Sequence, residues 1–488
     1  MKLLEKIIDK IDDGLNPIVV KELRQAVQSR FVIGIFMLFL ISLLCVTGTA
    51  VLFRIVENKV TAGTGTGMGR DIFEILFYAL TISSMFFVPA YTGIRMGMER
   101  SETYSDLVFI SSVKPGAIIR GKLFAGIIIT LLLFSVCMPF MTFTYLLRGI
   151  DIISVFAILA TVFIATVVCI HFTLFMGCIP CSRLFKSVLA IASTAVVTFF
   201  CAVIIEDVSR YRFRSVQLWD DAYIFLFLAG VFTVFCYVSA VAAISPSSAN
   251  RVLGIRLCLS SVWLITGIIP FFTTDFKINE WIGCSVAIVF TGLLLSVSEK
   301  DGQSLRVRRS IPHGKIKRTA AFFFYSGAAN GIAWIFVIAA LTLCLGWFIV
   351  YQYNSITYLR KFFHSYSYGK YIIQEALGIC LYIYCYSVSG LLIRRKFFYE
   401  RIQSNGTWVI ALMVCALSCI APYIIVLLTV HHFDGMRYML LFGDMFDIDR
   451  QKIEYHIMFA GSWAIILTIV SLPWFVRQIR RFVPLADS

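Results

Sequence analysis

Twelve separate runs of apolar residues, each long enough to cross a membrane, constrain this chain more than any other feature. They fall at 31–53, 72–94, 123–147, 152–176, 187–205, 222–244, 257–273, 281–297, 321–350, 372–393, 406–429 and 457–476. A hydrocarbon core takes about 20 consecutive apolar residues as a helix. Backbone amides and carbonyls inside it have no water to bond, so each crossing must satisfy its own as an α-helix. Of the 488 residues, 59% are hydrophobic and 15% charged, where a soluble domain averages roughly 25% charged. A water-soluble globule is excluded. The expected fold is all-α: a polytopic helical membrane protein with about 12 transmembrane helices.

Twelve crossings put both chain ends on one side. Of the 43 Lys and Arg residues, 29 fall on that side and 14 on the other, which predicts cytoplasmic termini. The formal charge of +15 then reflects orientation toward an anionic leaflet, with no nucleic-acid partner implied. The densest basic stretch, Arg306, Arg308, Arg309, Lys315, Lys317 and Arg318, lies in the mid-chain loop on the same side. It reads as a topology anchor, with a docking patch as the alternative. About 30 mostly polar residues precede the first run, without the short apolar stretch and small-residue cleavage site of a secretory signal. Span one is therefore expected to be retained.

Little in the chain suggests chemistry of its own. Most of the 14 cysteines fall inside apolar runs, where they behave as small hydrophobes. Cys178 and Cys181 form a lone CxxC, with no second pair and no nearby histidine to complete a tetrahedral zinc site. No GxxxxGK[ST] phosphate loop, HExxH or GxSxG occurs, so neither a metal nor a cofactor is expected. Charges at mid-bilayer cost about 2.5–3.5 kcal/mol on insertion scales and usually mark ion or proton routes. Here the spans are nearly free of them. His171 in span four is the main exception, a pathway candidate or a hydrogen-bonded packing histidine. Glu375, toward the outer end of span ten, reads as interfacial. His431 and His432 with Asp434, Asp444, Asp447 and Asp449 lack the glycine and closing glutamate of an EF-hand loop. Gly327 and Gly331 read as a close helix contact.

On the side of the termini, residues 1–30 carry two helical patterns. Leu3, Leu4, Ile7, Ile8, Ile11 and Leu15 line one face of an amphipathic surface helix. Asn16 then caps a second helix with Pro17 at its first position, carrying Lys21, Glu22 and Arg24 into span one. Residues 31–244 hold six spans, and 245–488 hold six more after an SPSSAN loop at 245–250. Between spans two and three, the segment 95–122 is much longer than a turn requires. Its polar end carries Glu99, Arg100, Glu102 and Asp106, and its apolar face Tyr104, Leu107, Val108 and Ile110, before a break at Lys114-Pro115-Gly116, from which Pro115 can start a further helix through Ile118, Ile119 and Gly121 into span three. Such a helix suits a cleft on a soluble partner.

Three stretches, NPIVVKELRQAVQSR, GMERSETYSDLVFISSVKPGAIIRGKLFAG and MPFMTFTYLLRGI, stand in an order that resembles the permease subunits of type 2 ABC transporters over residues 16 to 244. The resemblance implies a connecting helix at Pro17 to Arg30 and a coupling helix at about Glu99 to Ile110, with Glu99, Arg100, Glu102, Thr103 and Leu107 matching the acidic-then-leucine pattern and Gly121-Lys122 the start of span three. It implies a cytoplasmic ABC ATP-binding subunit docked there, with ATP and Mg on that subunit. It also implies a pairing of permeases as homo- or heterodimer, in a prokaryotic inner membrane. The expected function is the permease of an ATP-driven exporter of a hydrophobic or amphipathic substrate, not an enzyme. Two alternatives remain at this point. A twelve-span secondary transporter would need intramembrane acids or bases, and a membrane-embedded enzyme acting on lipid-linked substrates would need His171 or the outer acidic loop. An envelope assembly protein without transport is a further possibility.

Overall fold

A computed structural model describes residues 17–57, 68–101, 114–146, 150–180, 183–210, 215–246, 248–272, 278–352, 366–398, 402–429 and 452–484, together with Gly443, Met445 and Ile448. Every element among them is helical, and twelve helices are long and apolar enough to cross a membrane. They are spans one to twelve: Arg30–Thr49, Gly69–Glu99, Pro115–Leu146, Ile152–Cys178, Phe185–Arg210, Ile224–Ile244, Leu253–Pro270, Ile278–Val297, Ala328–Tyr351, Tyr368–Phe397, Ser404–Ala421 and Ile453–Arg481. The chain is a multi-pass membrane protein. The surface helix expected at 1–15 lies outside the described residues.

Two starts lie furthest from the apolar runs read in the sequence. Span three's helix begins at Pro115, as expected, and runs without a break into the apolar run at 123, because proline lacks the amide that a first helical turn leaves unpaired and its fixed φ suits that position. Span nine begins at Ala328, so positions 321–324 belong to a separate amphipathic helix, Lys315–Phe324. The break follows from Gly327, whose φ of +148° lies in a region that side chains disfavour.

Contacts divide the chain into two units, Met1–Ser245 and Pro246–Ser488. In the first, span four is central, touching spans two, three, five and six. Small residues let spans two and four cross closely: a Cβ on Gly177 would stand 2.7 Å from the Gly93 carbonyl oxygen, and one on Gly93 would stand 3.0 Å from Thr173 Cβ. Close backbone approach of this kind drives helix association where lipid and side chains are equally apolar. Span two contains one π turn, Ser83–Phe87, and beside it the Thr166 hydroxyl of span four donates to Ser84 Oγ at 3.2 Å. Away from the chain-end side, Phe73, Phe77 and Leu80 of span two pack with Leu133, Ile158 and Val162. Spans one and five turn most of their apolar surface outward, as at Leu38, Ile191 and Phe199, which is the surface lipid requires.

In the second unit span ten is central, touching spans eight, nine, eleven and twelve. Two indole N–H groups of this unit, on spans seven and nine, find partners, as buried ones must: Trp263 donates to Thr342 Oγ1 at 2.8 Å and Trp334 to Ser260 Oγ at 3.1 Å.

Candidate functional site

The connecting helix, Pro17–Gln28, places Val19, Glu22 and Ala26 on one face, and all three are buried. The face is apolar except for a carboxylate at its centre. Gly121 receives it: a Cβ there would stand 2.7 Å from Ile18 Cγ2, so glycine lets the connecting helix lie directly on span three. Ala26 joins Val88, Met96, Ile119, Leu123 and Ile170 in a shared apolar cluster.

Glu22 sits among charges from the neighbouring ends of spans two and three. Its Oε1 accepts from Lys122 Nζ at 2.8 Å and its Oε2 pairs with Arg95 Nε at 2.9 Å. Lys122 also reaches Glu99 Oε2 at 2.7 Å, and Arg95 stands 3.7 Å from Glu99 Oε1 while donating to Tyr91 Oη at 2.7 Å. Two carboxylates face two cations, so the cluster is neutral. Lys122 and Glu22 are only 5% and 6% exposed, Arg95 22% and Glu99 40%. Buried charges that lose one partner are costly, about 3–5 kcal/mol, and this gradient of exposure makes Glu22–Lys122 the firm contact and Glu99 the outer one. The three elements are thereby latched at one end of the unit. A single non-helical residue, Ser29, separates the connecting helix from span one.

Of the residues expected to meet a partner, Glu99 lies in this latch. Arg100 lies in the last turn of span two's helix, and Glu102, Thr103 and Leu107 lie outside the described residues. In the connecting helix Glu22 is buried at the latch, Lys21 and Arg24 are exposed, and Pro17 is the first residue. His171 is half-buried, with Nδ1 2.8 Å from the Val167 carbonyl of its own helix. Glu375 is half-buried on span ten. Cys178 is buried; Cys181 and the outer His/Asp loop residues fall outside the described set. Among the described residues no cluster of His, Cys, Asp and Glu is fit to hold a metal.

A second buried ion pair, in the other unit, joins span seven to the segment after span eight. Arg256 is 1% exposed and its Nη2 stands 2.6 Å from both Glu299 oxygens. Its Nη1 donates to the carbonyls of Phe323 and Tyr325, both at 2.8 Å, while Asn250 donates to that of Phe324 at 3.0 Å. These are the carbonyls left unpaired where the helix Lys315–Phe324 ends. Glu299 Oε2 accepts the Gly327 amide at 2.7 Å, so one ion pair holds the end of one helix and the beginning of the next. Burial pushes the Glu299 carboxyl above its ordinary range, against the pull of Arg256 and the Gly327 amide. Gly327 thus serves a turn, and Gly331 leaves room for Arg256 Nη2, 2.8 Å from where its Cβ would be.

Sequence reasoning misses these ion pairs because Lys122 and Arg256 each fall one position before an expected span. Lys122 lies seven residues, about 10 Å, into its helix. The pairing of Tyr382 with His456 Nδ1 at 2.8 Å, both buried between spans ten and twelve, gives no local signal either. Compared with known protein families, characterised proteins and solved structures, the chain matches none of them.

Proposed function

We propose that this chain is the permease subunit of an ATP-driven exporter of the type 2 ABC kind, set in a prokaryotic inner membrane with both termini cytoplasmic. A separate ATP-binding subunit hydrolyses ATP with Mg, and the cargo is hydrophobic or amphipathic. The observation that carries this reading is the latch. The proposed coupling segment begins at the end of span two and is followed by span three, and buried charges tie those two ends to each other and to the connecting helix. A ligand-driven change requires a partner that interacts differently with two states. A nucleotide-switched subunit pressing on that segment moves three elements as one body, so little of the displacement is absorbed locally.

The test is affinity purification of the tagged chain from its native host in mild detergent. The expected result is a co-purifying soluble subunit that carries a phosphate-binding loop. Recovery of the chain without a nucleotide-binding companion across several detergents would overturn the reading.

A further inference from the structure

A groove of about 450 Å³ opens along the first unit between spans two, four and five, within the roughly 300–1,000 Å³ of small-molecule sites. Its wall on span two extends from Phe86 to Met98, twelve residues or about 18 Å of helix rise. That is close to one leaflet, since a whole hydrocarbon core is about 30 Å thick. The lining is apolar, with Ile94, Leu189 and Val197 among its side chains. Two of its hydroxyls are engaged within their own helices, Thr173 with the Cys169 carbonyl and Ser193 with that of Ala190. At the end nearest the latch stands Lys186, whose ammonium donates to the Gly97 carbonyl at 3.0 Å. Among the described residues no carboxylate pairs with it. The groove's rim is apolar and exposed, with Ile94 and Met98 both 59% exposed and neighbouring Ile191 71%, so it opens sideways rather than into water.

A slot one leaflet deep, apolar along its length and cationic at the surface end, matches one chemistry. We propose that it holds a phospholipid with an anionic headgroup, from the leaflet on the side of the chain ends. One acyl chain lies along spans two, four and five, and the phosphate sits at Lys186. The site needs no ATP-binding partner, so it stands apart from the permease reading.

The test uses the full chain in phosphatidylcholine nanodiscs doped with a photoactivatable phosphatidylglycerol, its diazirine on the acyl chain. The same acyl chain on phosphatidylcholine is the parallel probe, and labelled positions are mapped by mass spectrometry. The phosphatidylglycerol probe should label Phe86–Met98 and Lys186–Val197 about fivefold more than the phosphatidylcholine probe, the preference expected of one lysine near an anionic surface. Lys186→Glu should remove that preference and Lys186→Arg should keep it. Ala190→Trp, which fills the groove without changing charge, should lower labelling by both probes. Equal labelling by the two headgroups in the unaltered protein, or labelling indifferent to Ala190→Trp, would overturn the proposal by showing ordinary boundary lipid. Crosslinks joining spans two and five of two chains would overturn it by showing a second copy in the groove.

Discussion

Removing the Lys122 ammonium should release the connecting helix. Lys122 is 5% exposed and lies 2.8 Å from Glu22 and 2.7 Å from Glu99, so Lys122→Met turns a neutral cluster of four charges into one with an excess negative charge. Breaking a buried pair costs about 3–5 kcal/mol. Arg95 still holds Glu22 at 2.9 Å, and Glu99 is exposed enough to recover solvation, which places the effect at the lower end, about 3 kcal/mol. At 1.4 kcal/mol per tenfold, undocking of the helix should become about a hundredfold more frequent. Ala26, 2% exposed against the bundle, reports undocking when replaced by cysteine, and Val27, 63% exposed, is the neighbouring control. Maleimide labelling, resolved site by site by mass spectrometry, should accelerate about a hundredfold at Ala26→Cys in the Lys122→Met background and hardly change at Val27→Cys. Adding Glu22→Gln should reverse part of the effect, because it removes the carboxylate left without its ammonium. A rise at position 26 below about threefold, under 1 kcal/mol, would refute the assignment of the latch.

Three further outcomes follow from the same contacts. Gly177→Leu should separate spans two and four, because the obstructing atom is the Gly93 carbonyl oxygen and cannot swing aside; overpacking of this kind costs about 1–3 kcal/mol and is read as a lower thermal midpoint in detergent. Arg256→Met should destabilise the second unit by about 3–5 kcal/mol, while Arg256→Met with Glu299→Leu should recover much of it, since an apolar pair replaces an ion pair well but a single buried charge is left costly. Burial raises the Glu299 carboxyl, so its linked stabilisation is present below the ordinary glutamate range and is lost as pH rises through the raised value. Glu299→Gln should flatten that part of the midpoint-against-pH curve, and an unchanged curve would contradict the shift.

The crossings are legible in the sequence because lipid imposes one rule on every backbone group inside it, and a run such as 152–176 can obey it only as a helix. Helix ends are less legible. At Pro115 and Gly327 the boundary is set by a proline's missing amide and a glycine's φ, whereas apolar content marks only where lipid begins. The latch is the least legible part. Glu22, Arg95, Glu99 and Lys122 lie up to 100 positions apart, and each taken alone is an ordinary charge at a membrane surface. Glu22 stands out only as a carboxylate between Val19 and Ala26 on an otherwise apolar face. Gly121 beside Lys122 carries the complementary hint, a bare backbone patch next to a cation, but the match of the two across space comes from the fold. The groove at Lys186 is likewise invisible in sequence, since its walls come from three spans whose apolar residues look alike.

The most direct test of the permease account is ATP hydrolysis by the chain purified with whatever accompanies it, for the unaltered protein and for Leu107→Asp. Leu107 lies on the expected apolar face of the proposed coupling segment and is not one of the four latch residues, so its replacement addresses docking with the charges of Glu22, Arg95, Glu99 and Lys122 left in place. The account predicts a vanadate-sensitive ATPase that co-purifies with the unaltered chain and is lost with Leu107→Asp, while the altered chain still inserts and purifies. An absent ATPase, or one retained in full by Leu107→Asp, would contradict it.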